Sequence, residues 1–144
     1  MIVSQILQSK SNSAVISITP TATVSDAVRL LSDKRIGTVV VSADGASLDG
    51  ILSERDIVRV LGKRGTECLA DPVSMLMTAE LVTCGPADTA DGVLEMMTQG
   101  RFRHMPVMDD GTMVGLISIG DVVKARLSEL AMEKDALEGM IMGH

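Results

Sequence analysis

An α+β fold, built from one β-α-β-β-α unit repeated in tandem, is what this sequence predicts, and three observations carry the prediction. The chain matches itself. An offset of 66 pairs Pro20 with Pro86, Thr23 with Thr89, Arg35 with Arg101, Val41 with Val107 and Gly45 with Gly111. After the loss of one residue, an offset of 65 pairs Gly50 with Gly115, Ser53 with Ser118, Asp56 with Asp121 and Val58 with Val123. Within each copy the apolar spacing alternates between strand-like runs and the period of an amphipathic helix. Each copy, of about 65 residues, is too small to bury a sufficient core alone. The two copies are therefore expected to bury their apolar faces against each other with pseudo-twofold symmetry, leaving clefts that suit ligands.

Residues 1–14 read as an N-terminal helical turn (Val3, Ile6, Leu7) followed by a polar Ser/Asn linker. The first repeat spans residues 15–62. Val15-Ile16-Ser17-Ile18 is a short strand, ended by Thr19-Pro20. Thr23 caps the next helix, and Asp26 returns the bond of a capping box. Val24, Ala27, Val28 and Leu31 recur at helical spacing, and Gly37 is expected to end the helix. Thr38–Val41 is an apolar β-branched strand, Asp44-Gly45 a hairpin signal and Leu48–Leu52 the returning strand. Ser53-Glu54-Arg55-Asp56 opens a second helix with Ile57, Val58 and Leu61 on one face. Residues 63–80 form a connector, with a short helical turn around Val73–Met77. The second repeat, residues 81–125, reuses the helical spacing through Ala90, Val93, Leu94 and Met97. Residues 126–144 extend its last helix through Leu127, Leu130, Leu137 and Ile141. This stripe has no counterpart in the first copy and is expected to pack or to form a homodimer.

Composition removes several classes of function. The 144 residues carry 13 Lys+Arg against 19 Asp+Glu, and the net charge of -6 argues against nucleic-acid binding. A single Phe, with no Trp or Tyr, leaves no stacking platform for single strands. No apolar run of about 18 residues predicts a membrane span, and Met1-Ile2-Val3-Ser4-Gln5 lacks a signal-peptide pattern. Cys68 and Cys84 are isolated and lack C-x-x-C spacing, which fits a reducing cytoplasm. There is no phosphate-binding glycine loop, and no Cys/His cluster points to a metal. With two histidines, one of them the terminal His144, no nucleophilic triad is suggested. No catalytic residue is assigned, and turnover is not expected.

Two motifs carry a resemblance. Gly-apolar-apolar-Ser-x-x-Asp occurs as Gly50-Ile51-Leu52-Ser53-Glu54-Arg55-Asp56 and again as Gly115-Leu116-Ile117-Ser118-Ile119-Gly120-Asp121. Arg101-Phe102-Arg103-His104-Met105-Pro106-Val107-Met108-Asp109 forms a basic–apolar–Pro–Val–x–Asp strand. Duplicated in register, these make residues 15–125 resemble a tandem pair of cystathionine-β-synthase (CBS) domains. The resemblance implies two units packed through their sheets. It also implies adenosine nucleotides or related compounds as regulatory ligands (AMP, ADP, ATP, NAD or S-adenosylmethionine), with no cofactor required.

The residues at issue have two readings each. Asp56 and Asp121, with Ser53 and Ser118, suit helix capping, but a carboxylate at a helix N-terminus also accepts hydrogen bonds from a ribose diol. Arg101, Arg103 and His104 form a basic cluster in an acidic chain. They suit either a solvated turn or a phosphate, with Arg55 as a further candidate in the first copy. Strand alternation separates His104 from Arg103 and Met105, and Pro106 is expected at an edge or cleft wall. The resemblance points to Ser17, Ile18, Thr19 and Pro20, and to Thr83, Cys84, Gly85 and Pro86, as purine-pocket segments, with Met105 and Pro106 nearby. Core packing is the other reading of Ile18, Val39, Ile51, Met105 and Leu116. Gly37 and Thr38 stand where Arg103 and His104 stand in the second copy, and Arg55 is matched by Gly120, so unequal sites are expected. A stand-alone adenosine-nucleotide sensor leads. Its rivals are a ligand-free structural or interaction module, and a trans-acting subunit regulating a metabolic enzyme such as a purine-pathway dehydrogenase.

Overall fold

The computed structural model describes residues 1–10 and 14–142. The expected linker residues Ser11, Asn12 and Ser13, and the terminal His144, lie outside the described residues. The α+β elements fall into two units. Unit 1 comprises Met1–Ser13, Thr83–Met108 and Gly115–His144; unit 2 comprises Ala14–Val82 and Asp109–Val114. No helix among the described residues is long and apolar enough to cross a membrane.

In unit 2, β1 (Ser17–Ile18), β2 (Thr38–Val41) and β3 (Gly50–Ser53) form one sheet in that order. β1 runs parallel to β2 (Ser17 opposite Val40), and β2 runs antiparallel to β3 (Val41 opposite Gly50). α2 (Val24–Lys34) and α3 (Glu54–Arg64) supply the helical layer, followed by 3₁₀ turns at Gly65–Ala70 and Val73–Met75. Val24, Ala27, Leu31, Val39, Val41, Leu52, Ile57, Val73 and Leu76 form its core. The Thr23 capping box is present: Thr23 Oγ1 accepts from Asp26 N–H at 3.1 Å, and Asp26 Oδ2 accepts from Thr23 N–H at 3.4 Å.

Several local expectations need correction. Gly37 does not end α2; Arg35 does, in the left-handed region at φ 55. Gly37 instead passes its carbonyl to Glu54 N–H at 2.9 Å, tying the start of β2 to the start of α3. Asp44-Gly45 is not a two-residue turn, because only Gly45 has positive φ. Asp44 Oδ1 accepts from Ala46 N–H at 2.9 Å and Ser47 N–H at 2.7 Å, which winds a longer loop and shortens the returning strand to Gly50–Ser53. Val28 and Val58 are exposed, because α2 and α3 each cover the sheet with a stripe narrower than their apolar content.

The second copy runs α4 (Ala90–Gly100), β4 (His104–Asp109), β5 (Thr112–Ser118) and α5 (Ile119–Ile141), and all of it but Asp109–Val114 belongs to unit 1. β4 and β5 are joined by Asp110-Gly111 at φ 52 and 80, the pair of positive φ values that a two-residue hairpin needs. Arg101 caps α4 at φ 56, as Arg35 caps α2. Pro106 does not lie on an edge strand: β4 pairs with β5, and Cys84 bridges to Val107 in parallel on its other side. Cys84 N–H donates to Pro106 O at 3.0 Å, and Met108 N–H donates to Cys84 O at 2.8 Å. Val40, the equivalent of Pro106, adds a third bond from its N–H to Ile16 O at 3.2 Å. Proline lacks that donor, so the first strand of the second copy shrinks to a single bridge.

α1 (Val3–Ser9) also belongs to unit 1 and reveals a second register. Val3 N–H donates to Asp88 O and Ser4 N–H to Pro86 O, both at 2.9 Å, and Ala90 N–H donates to Met1 O at 3.0 Å. In unit 2, Val73 N–H donates to Ala22 O at 2.7 Å, Ser74 N–H to Pro20 O at 3.1 Å and Val24 N–H to Asp71 O at 2.9 Å. Residues 1–10 and 71–80 are therefore equivalent lead-in segments at an offset of 70. Each lead-in completes the unit whose remaining elements come from the other copy. Val3, Ile6, Ala90, Val93, Met97, Met105, Val107, Ile117 and Val122 are buried at the positions equivalent to the unit 2 core.

Candidate functional site

In each unit a helix N-terminus meets the first residues of a strand, and this corner gathers the predicted polar residues. In unit 1, Ser118 caps α5: its Oγ accepts from Asp121 N–H at 3.1 Å, while Asp121 Oδ2 accepts from Ser118 N–H at 2.9 Å. Arg103 O accepts from Ile119 N–H at 2.8 Å, which fixes the basic end of β4 beside the cap. Lys10, the residue that ends α1, places Nζ 3.0 Å from Asp121 Oδ2 and donates to Leu116 O at 2.9 Å. Gly115 makes room for this segment, since a Cβ there would lie 2.7 Å from a Leu7 methyl.

The charges in this corner shape one another. Burial raises the Asp121 carboxyl, but the Ser118 N–H and the Lys10 ammonium together outweigh it and hold Asp121 below the ordinary value of 3.8. Burial pushes the His104 imidazole below 6.5; Asp121 opposes that shift, while Lys10 and Arg103 add to it. The corner thus combines an anionic acceptor, the Lys10 ammonium held on it, the nearby Arg103 charge and an imidazole whose protonated form burial disfavours. Among the described residues Asp121 Oδ1 takes no hydrogen bond, and the Asp121 side chain is 25% exposed.

Unit 2 builds the same corner differently. Ser53 Oγ accepts from Asp56 N–H at 3.2 Å, and Asp56 Oδ2 accepts from Ser53 N–H and O–H, each at 3.0 Å. Asp56 Oδ1 accepts from the Arg59 guanidinium at 3.1 Å. Both carboxylate oxygens are engaged, and the residue is 8% exposed. Arg55 is exposed at the second position of α3, and the Glu54 carboxylate lies against Gly37. The equivalents of Arg103 and His104 are Gly37 and Thr38, so this corner lacks the cationic strand end.

The other predicted residues are placed as follows. Arg101 is exposed at the cap of α4, and its conformation serves that cap. Met105 and Pro106 are buried, and Met105 packs in the unit 1 core. Cys84 is buried too; desolvation, then the Asp88 carboxylate, pushes its thiol up to about 12. Thr83 is exposed, and Gly85 N–H is held by Asp88 Oδ2 at 2.7 Å. Pro86 O is taken by Ser4 of the lead-in. In unit 2, Ser17 and Ile18 are half-buried in β1, Thr19 is exposed, and Pro20 O is taken by Ser74. Ile18 packs against the core, and Val39 is fully buried in it. Lys10 is the corner residue that sequence reasoning missed. The only signal for it was the match of Val3-Ser4 with Val73-Ser74 at an offset of 70 instead of 66.

Comparison with known proteins agrees with this geometry. The CBS domain family matches residues 3–63 and 73–128, segments that start with the two lead-ins. The chain is similar to "CBS domain-containing protein CBSX3, mitochondrial" of Arabidopsis thaliana, 36% identical over 98% of this chain and 72% of that one. It is similar in structure to the CBS-domain containing protein ATU1752 from Agrobacterium tumefaciens. There the TM-score is 0.81 with 39% identity, over 88% of this chain and 99% of that one. The solved structure of CBSX2 in complex with AMP matches with a TM-score of 0.72 and 26% identity, over 88% of this chain and 96% of that one. The duplicated capping corner and the family match together establish that this chain belongs to the CBS domain family.

Proposed function

We propose that this chain is a regulatory module that binds an adenosine nucleotide at the unit 1 corner and passes the signal to a separate partner or through its oligomeric state. One observation carries the reading: Asp121 stands at a helix N-terminus with a carboxylate oxygen, Oδ1, that takes no hydrogen bond among the described residues, within a corner that also contains Lys10, Arg103 and His104. A ribose diol donates to such a carboxylate, and guanidinium and ammonium groups suit the adjoining phosphate. Ser118 holds Asp121 in place. In unit 2 the same role for Asp56 and Ser53 requires breaking the Arg59 pair, so Arg55 and Asp56 form the weaker site. The AMP complex of the related CBSX2 favours AMP among AMP, ADP, ATP and NAD. Nothing in this reading calls for catalysis. Buried free thiols at Cys68 and Cys84 suit a reducing compartment.

The test is a thermal-shift and calorimetric titration of nucleotide-free protein with AMP, ADP, ATP, NAD and S-adenosylmethionine, repeated with Asp121→Asn. A ligand that binds only the folded state raises the melting temperature by mass action. Saturable binding by one of these compounds, lost in Asp121→Asn, supports the reading. No binding by any of them overturns it.

A second reading has its own observation. Leu127, Leu130, Leu137 and Ile141 are 63%, 49%, 59% and 84% exposed along α5. An apolar stripe of that length suits burial against a second copy of the chain. Sedimentation of Leu130→Glu/Leu137→Glu tests it: a homodimer that becomes a monomer supports an interaction role, and a wild-type monomer removes it.

A further inference from the structure

The unit 1 corner has a feature its unit 2 counterpart lacks. Lys10 approaches Asp121 from outside the helix that carries the carboxylate. It sits at the extended end of α1, and its ammonium bridges Asp121 Oδ2 and Leu116 O. In unit 2 the equivalent lead-in residue is the exposed Glu80, and Asp56 is paired one turn along its own helix by Arg59. Lys124, equivalent to Arg59, makes no ion pair among the described residues, so in unit 1 the neutralising cation comes from Lys10 instead of from the same helix.

We propose that Lys10 makes the unit 1 corner select phosphorylated over unphosphorylated adenosine ligands, by moving from Asp121 to the ligand phosphate as the ribose hydroxyls occupy the carboxylate. This inference rests on the nucleotide reading above and names the specificity of that same site. The preference comes from an exchange of charge partners. A neutral nucleoside whose diol spans both carboxylate oxygens displaces the ammonium from Asp121 Oδ2 and offers no anion in return, leaving Lys10 with only a carbonyl partner. A nucleotide supplies both halves of the exchange: hydroxyl donors for the carboxylate and a phosphate for the ammonium. Leu116 O keeps the Lys10 head within reach of both positions, because an ammonium has three donors and this bond uses one. Arg103, whose carbonyl is fixed to the α5 N-terminus, adds a positive charge near His104 in the same corner. The anion then gains the Lys10 ammonium in a positive surrounding, while Asp121 keeps the Ser118 N–H throughout.

The experiment is calorimetric titration of the full chain with AMP and with adenosine, for the wild type, Lys10→Met and Lys10→Arg, with melting curves to show that each variant is folded. Lys10→Met is expected to weaken AMP by about tenfold, the scale of one lost charge-assisted hydrogen bond. The same change is expected to leave adenosine unchanged or tighter, and Lys10→Arg to retain most of the preference. Equal changes for AMP and adenosine in Lys10→Met, or no change for AMP, would overturn the role of Lys10 while leaving nucleotide binding intact. If the wild type binds neither compound, the nucleotide reading itself fails and this inference falls with it.

Discussion

Replacing Asp56 by Ala separates capping from ligand binding. Its Oδ2 accepts two hydrogen bonds from Ser53, at 3.0 Å each, and its Oδ1 accepts one from Arg59 at 3.1 Å. Loss of the reciprocal cap costs about 1 kcal/mol, and the half-buried Ser53 N–H left unpaired adds about 0.5–1 kcal/mol. The Arg59 pair contributes little more, about 0–0.5 kcal/mol, because the Arg59 side chain is 58% exposed and solvent screens it. The total of about 1.5–2.5 kcal/mol corresponds to a fall in Tm of about 4–8 °C for a chain of this size. Asp56→Asn, which keeps a carbonyl acceptor for Ser53, should lose less than half of that. Calorimetric melting of the three proteins measures the order, and AMP titration of the same samples should show affinity unchanged. An Asp56→Ala variant as stable as the wild type would refute the capping account. Lost AMP binding at unchanged stability would move the live corner to unit 2.

Acidification should weaken the fold in two steps. The folded-state value of His104 lies below 6.5, so the unfolded chain takes up a proton first and stability falls as pH drops below that value. The Asp121 carboxyl is depressed below 3.8, so its contribution is present above that value and is lost as pH falls through the lower folded one. Melting curves of His104→Gln should be flatter than wild type between about pH 5 and 7; an unchanged slope would contradict this. Gly50→Ala should destabilise more than Gly115→Ala. The new Cβ at 50 meets the Thr78 carbonyl at 2.8 Å, whereas at 115 it meets only a movable Leu7 methyl at 2.7 Å. Urea midpoints in the reverse order would sink the comparison. Arg35→Gly should raise stability by about 0.5–1 kcal/mol, because Arg35 holds φ 55 at the end of α2 and glycine adopts that region without strain. Urea unfolding reads it directly, and a lower midpoint would show that the Arg35 side chain outweighs the strain.

Much of this fold was legible because its local signals and its packing agree. Thr23, Ser53 and Ser118 all cap helices, and the helical spacing named most of both cores. Where legibility failed, two residues of similar meaning competed. Asp44-Gly45 and Asp110-Gly111 share a composition, yet only the second has both residues at positive φ. The Asp44 carboxylate instead binds the next two free N–H groups, Ala46 and Ser47, and is held down to about 2 by them. Gly37 looked like a helix stop, but the chain turned two residues earlier, at an arginine, and used the glycine where β2 meets Glu54. In both places a side-chain or tertiary contact overrode a sound local preference.

The corner was half legible for a different reason. Asp121, Ser118, Arg103 and His104 lie in the repeat body, where an offset of 65 or 66 exposes them. Lys10 lies in a lead-in whose register is 70, because the first copy has four more residues than the second between lead-in and body. The length of a linker is weakly constrained by energy, since loop closure grows only logarithmically with chain length. The backbone bonds that the lead-in makes are strongly constrained: Val3 and Ser4 reproduce those of Val73 and Ser74 partner for partner. A search for repeats at one fixed offset follows the weaker constraint and loses the segment that the stronger one preserves. The same change of register lets the two corners diverge. Once Lys10 and Glu80 are aligned, one lead-in brings a cation to the helix cap while the other carries an exposed glutamate at that position, and the neutralising charge comes from α3 in one unit and from the end of α1 in the other. A duplicated scaffold can in this way hold two nonequivalent sites while its core stays the same.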